Sequence, residues 1–174
     1  MIIALDASAL ILIINPATSP PDDPATRQPV TRCEERIGLF LEALRPTDTL
    51  IVATPVLAEV LVRAGAGAPE VLAEIATAAR IKVRPFGQKA AVELAIMTLD
   101  AIRAGDKRGG SDQAWQKVKF DRQIAAVARS EGAELLFADD LGLVRFAQLL
   151  GMNVQSTWNL PLPHQSQPDL FRGK

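Results

Sequence analysis

Residues 2–14 read IIALDASALILII. Ile2 to Leu5 form the short continuous apolar run expected of a strand buried on both faces of a parallel sheet. Asp6 follows at once, and Ser8 to Ile13 is compatible with a helix. A strand that ends on an acid and turns into a helix is the opening unit of an α/β domain. In open sheets of that kind, functional groups gather where the strands end.

The alternation continues outward from this unit. Leu50 to Ala53 reads as a strand. Thr54-Pro55 reads as a helix start, with Thr54 as N-cap and Pro55 at the first helical position. Val56, Leu57, Val60, Leu61 and Ala64 line one face of that helix, which stops near Gly65 and Gly67. Further helices are expected over 33–44, 69–79, 88–102 and 141–150, with strands over 81–83, 134–138 and 152–154. Phe120, Ile124, Val127 and Ala128 recur at helical spacing up to Gly132, so a helix is expected to open near Phe120 with Asp121 in its first turn. The pattern predicts an α/β domain with a central, mostly parallel sheet flanked by helices. Residues 1–158 are expected as the domain, with 15–30 a Pro-rich loop insertion and 159–174 a loosely ordered C-terminal tail. No repeat is visible.

Composition narrows the chemistry. The chain of 174 residues holds one cysteine, Cys33, and one histidine, His164. An intrachain disulfide is excluded, and a Cys-based zinc site is disfavoured. Ser-His-Asp and Cys-His catalysis have almost no histidine to draw on, since His164 lies in the Pro-rich tail and reads as a surface residue. Any catalytic site is expected to be built from carboxylates. A net charge of −1 argues against a strongly basic surface but leaves room for a local basic strip. No apolar run approaches the roughly 18 residues of a membrane span. Met1-Ile2-Ile3 lacks the basic region of a secretory signal, so no membrane association and a cytoplasmic location are expected.

The acids fall in a pattern. Asp6 ends the first strand. Asp139 and Asp140 end the strand at 134–138. Glu59 lies in the second turn of the helix after Leu50–Ala53, and Asp121 opens the helix of Phe120, Ile124, Val127 and Ala128. Each has an ordinary explanation: Asp6 and either Asp139 or Asp140 as helix caps, Asp121 as a helix-dipole partner, Glu59 paired with Arg63. Their joint placement is the stronger signal. Acids converging on one end of a sheet make an oxygen-only site suited to Mg²⁺ or Mn²⁺. Such ions generate a hydroxide nucleophile and neutralise phosphate oxygens without histidine.

The segments IIALDASAL, TPVLAEVLVRAG and KVKFDRQIAAVARSEGAELLFADDLGLVRFAQLLGMNV, with the closing LPLP, resemble the PIN-domain family and its VapC-like ribonuclease toxins. The resemblance implies a PIN-like three-layer domain. It implies catalysis and metal binding by Asp6, Glu59, Asp121 and Asp140, with Mg²⁺ or Mn²⁺ as cofactor. It also implies an RNA substrate, a homodimer, and a cognate antitoxin protein in a type II toxin-antitoxin system. Asp6 matches the first acid, two residues before the hydroxyl of Ser8. Ala138 stands where a Thr commonly precedes the fourth acid by two residues, and Asp139 is the adjacent alternative to Asp140. Ser8 and Asp139 are expected to support the ligands from behind, with Asp139 turned to solvent or capping the helix. The 15–30 loop is longer than in a compact member.

Arg103, Lys107, Arg108, Lys117, Lys119 and Arg122 surround Trp115. Either Trp115, Lys117, Lys119 and Arg122 bind RNA by stacking and phosphate contact, or the segment is a solvated loop with Trp115 filling an apolar gap. Trp158 lacks basic neighbours and reads as packing. The expected function is a metal-dependent endoribonuclease. The alternatives are a catalytically inactive RNA- or protein-binding module and an aspartate-based phosphatase. Ser8 disfavours the latter, because it stands where that chemistry wants a second acid.

Overall fold

The computed structural model describes residues 1–162. His164 and most of the expected tail lie outside them. Five strands form one parallel sheet: β1 (Ile2–Leu5), β2 (Thr49–Ala53), β3 (Ile81–Arg84), β4 (Leu135–Phe137) and β5 (Val154–Gln155), in the order β3-β2-β1-β4-β5. Helices α1 (Ala7–Ile14), α2 (Cys33–Ala43), α3 (Thr54–Ala64), α4 (Ala68–Thr77), α5 (Gln88–Arg103), α6 (Trp115–Ser130) and α7 (Leu141–Leu149) flank it, giving the three-layer α/β arrangement expected. The central strands are apolar because both faces are covered. Ile3, Leu5, Leu50, Ile51, Val52, Leu136 and Phe137 are all buried. No described helix is long and apolar enough to cross a membrane.

Residues 15–32 contain no helix or strand and fold back through an antiparallel bridge between Asp22 and Pro29. Val30 anchors it in the interior. Leu160 is also buried, and its carbonyl accepts from the Arg36 guanidinium, so the chain stays packed just past Trp158.

Two local expectations need correction. Thr54 is the first residue of α3, not its N-cap; Ala53 holds the cap position. The Thr54 hydroxyl instead accepts the N–H of Phe86 at 3.1 Å, tying α3 to the end of β3. Helix α6 begins at Trp115, well before Phe120, so Asp121 sits in its second turn and not at a dipole end. Gly132, at φ 71°, then takes the left-handed turn that ends α6.

The sheet order matters for function. β1 pairs with β2 on one side and with β4 on the other, so the chain path reverses between β1 and β4. Such a switch point opens a crevice beyond the strand ends. Leu5 registers with Phe137, so Asp6 and the Asp139–Asp140 pair emerge together there.

Candidate active site

Asp6 is held by its own backbone surroundings. One carboxylate oxygen accepts the Ala9 N–H at 2.7 Å, capping α1. The other accepts the N–H groups of Asp139 at 2.8 Å and Asp140 at 3.2 Å. The residue is 3 % exposed. Burial pushes its carboxyl up to about 7, against the pull of the Ala9 N–H and with the Asp139 charge adding to the rise.

Asp140 has divided duties. One oxygen caps α7 by accepting the Leu143 N–H at 2.9 Å. The other lies 3.1 Å from the Lys117 ammonium. That same ammonium lies 2.6 Å from Asp121, one turn further along α6. Burial pushes the Asp121 carboxyl up to about 6, opposed by Lys117 and reinforced by the charges of Asp140 and Glu59. Glu59 projects from α3 and is paired with Arg63.

These groups define a cleft of about 550 Å³ whose walls include Asp6, Ser8, Glu59, Arg63, Lys117 and Asp140, with Phe120, Ile124 and Leu143 as apolar lining. Asp121 lines a neighbouring cleft of about 800 Å³, with Arg108, Asp112, Arg145 and Phe146. The two clefts adjoin at the Lys117–Asp121 pair. Arg145, exposed on α7, escaped the sequence reading because α7 offered nothing but a short amphipathic pattern.

The remaining expected site residues fall differently. Asp139 neither faces solvent nor caps α7. Its two oxygens accept the N–H and hydroxyl of Thr157, each at 2.7 Å. Burial raises its carboxyl and the two Thr157 donors oppose the rise. Beside it, Ser156 donates to the Ala138 carbonyl at 2.6 Å. This latch joins the end of β4 to the turn after β5, eighteen residues on. Arg122 is not placed to bind RNA: it is fully buried. Its guanidinium donates to the Lys107 carbonyl at 2.6 Å and to the Thr98 hydroxyl at 3.3 Å. It also stacks near Trp115 and Phe146, at 5.4 and 5.3 Å from the ring centres. Trp115 is half-buried under Arg122, Lys107 and Lys119. Lys119 is exposed, whereas Lys117 belongs to the acid cluster.

Among the described residues, no three His, Cys, Asp or Glu side chains stand in an arrangement that would hold a metal ion. The donor chemistry nevertheless fits a hard divalent cation. Every donor is a carboxylate or hydroxyl oxygen. Two buried acids, Asp6 and Asp121, carry raised pKa values that an added positive charge would relieve. An ammonium already bridges two of the acids.

No protein-family model and no curated protein matches the sequence. Solved structures do match. The crystal structure of VapBC2 from Rickettsia felis, bound to a promoter DNA fragment, is 16% identical at a TM-score of 0.60, over 90% of this chain and 98% of that one. VapBC-1 from nontypeable Haemophilus influenzae is 17% identical at 0.58, over 90% and 98%. Mycobacterium tuberculosis VapC20, described as a Sarcin-Ricin loop cleaving toxin, is 15% identical at 0.50, over 82% and 93%. Identities this low speak for the fold. Together with the parallel sheet of order β3-β2-β1-β4-β5 and its flanking helices, they establish that this chain has the PIN-like three-layer α/β fold of VapBC structures.

Proposed function

We propose that this chain is a divalent-metal-dependent endoribonuclease that hydrolyses RNA phosphodiester bonds, and that it is the toxin of a type II toxin-antitoxin pair. One observation carries the reading. Asp6, Glu59 and Asp140 wall a single cleft at the switch point of the sheet, and Asp121 is joined to them through Lys117. The description of the similar VapC20 as a cleaving toxin supports the choice of substrate.

Asp6, Glu59, Asp121 and Asp140 would hold Mg²⁺ or Mn²⁺. When bound, the ion supplies a water-derived hydroxide and neutralises phosphate charge. The protein does the positioning. Three backbone N–H groups fix the Asp6 carboxylate, so it cannot turn away from the cleft. The cap bond to Leu143 fixes one Asp140 oxygen and leaves the other facing Lys117. Ser8, on the first turn of α1, places a hydroxyl on the cleft wall beside Asp6. Arg108 and Arg145 in the adjoining cleft offer phosphate contacts for the RNA strand on its way to the acids. The partners in this reading are RNA, a neutralising antitoxin protein and a second copy of the chain. Exposed Val92, Ile96, Leu99 and Ile102 along α5 support a protein-binding face.

The test is cleavage of a mixed RNA pool with Mn²⁺ and with EDTA, by wild type and by Asp140→Asn. The introduced amide retains an oxygen for the α7 cap but loses the charge. Wild type is expected to cleave only with the metal, and Asp140→Asn at least about a hundredfold more slowly, the effect of several kcal/mol of lost charge stabilisation. Cleavage by Asp140→Asn at the wild-type rate would overturn the site. Absence of cleavage by wild type under every condition would favour the binding-module alternative.

A further inference from the structure

We infer that Lys117 is a tethered cation that occupies the space between Asp121 and Asp140 and competes with a divalent ion for those two acids. The inference rests on the metal-site reading above and adds to it a residue that limits metal affinity.

The geometry is specific. A lysine one turn before an aspartate on a helix makes an ordinary local pair, and Lys117 does so with Asp121 at 2.6 Å. Its ammonium also reaches Asp140 at 3.1 Å, at the head of a different helix, α7. One nitrogen therefore bridges two acids from separate elements at the seam of two clefts. A Mg²⁺–oxygen bond is only about 2.1 Å long. The ammonium thus occupies the place that a single ion between the two carboxylates would need. Arg63 performs a lesser version of the same service for Glu59, since among the described residues it pairs with that acid alone.

Lys117 is also free to leave. Its side chain is 38 % exposed and lies on the cleft wall, and the flexible four-carbon stem can swing the ammonium into water. While it is seated, its single positive charge offsets part of the repulsion between Asp121 and Asp140. Once it departs, the acids are open. The apparent metal affinity is then the intrinsic affinity scaled by the fraction of time the ammonium is away.

The experiment is titration of the full-length chain with Mn²⁺, with free ion followed by electron paramagnetic resonance. Wild type, Lys117→Met and Lys117→Arg are compared, and circular dichroism verifies that each is folded. Lys117→Gln replaces Lys117→Met if the latter aggregates. Lys117→Met is expected to bind Mn²⁺ about tenfold more tightly, the ratio for an ammonium seated nine-tenths of the time. Lys117→Arg keeps the cation and is expected to bind no more tightly than wild type. If wild type binds Mn²⁺ and Lys117→Met binds it equally or more weakly, Lys117 is not a competitor and the metal site still stands. If neither folded protein binds Mn²⁺ at millimolar concentration, the competitor and the metal site fall together.

Discussion

Asp139 and Asp140 share a strand end but face opposite ways. Asp140 turns toward the cleft and Lys117, while Asp139 turns back to Thr157. The sequence favoured Asp140 for the site and expected Asp139 to face solvent or cap the helix; the bond to Thr157 was not legible, because that partner lies eighteen residues further on. The two should separate cleanly in experiment. Asp139→Ala strips the Thr157 N–H and hydroxyl of their acceptor and should cost about 1–3 kcal/mol of stability. RNA cleavage well below its melting temperature should survive. Thermal melts paired with cleavage assays check this, and a stable but inactive Asp139→Ala would move Asp139 into the site.

At the level of elements, the β1–α1 unit and the acid that ends β1 were legible because each depends on neighbours in sequence. The α6 region was not. Its apolar rhythm is plain only from Phe120 onward, and the charged first turns of the helix read as loop. Arg122 looked like a surface cation for the same reason. Its burial depends on Thr98 from α5, Phe146 from α7 and the Lys107 carbonyl, none of which a local window contains. With Arg122 buried, the proposed RNA track runs instead past Arg108, in the loop between α5 and α6, and Arg145 on α7, which line the second cleft. Replacing both by Ala should weaken binding of a single-stranded RNA. It should also reduce the slope of log K against log salt by about 1.4, the share of two phosphate contacts. An unchanged slope in a filter-binding titration would take the second cleft out of the RNA path.

For the whole molecule, the parallel sheet and its flanking helices followed from the alternation of short apolar runs with amphipathic segments. The strand order did not, because nothing local says that β4 returns beside β1. That return brings the acids together, and burying them has a cost. Burial lifts the Asp6 carboxyl to about 7 and the Asp121 carboxyl to about 6, from the ordinary value of 3.8. Between 3.8 and about 7 the folded chain therefore keeps protons that the unfolded chain has released. Folding stability falls as pH rises through that window. Asp48 adds no opposing slope there. The Arg45 guanidinium and the N-terminal ammonium hold its carboxyl below the usual range, so its contribution is lost only in stronger acid. In EDTA, the melting temperature of wild type should drop from about pH 5 to about pH 8. The drop should be shallower in Asp6→Asn, whatever that variant's absolute stability. Equal slopes in the two proteins would show that Asp6 does not titrate in this range.

The three backbone bonds to Asp6 have a consequence for inheritance. They make this acid part of the scaffold, joining the start of α1 to the end of β4. Glu59 has no such employment: its partner is the surface guanidinium of Arg63. If the chain cleaves RNA as proposed, then in a lineage that abandoned cleavage, selection for a folded chain would go on preserving Asp6, while Glu59 would be free to drift. An intact Asp6 in a descendant therefore says little about whether it still cuts, and the residue at position 59 says a great deal.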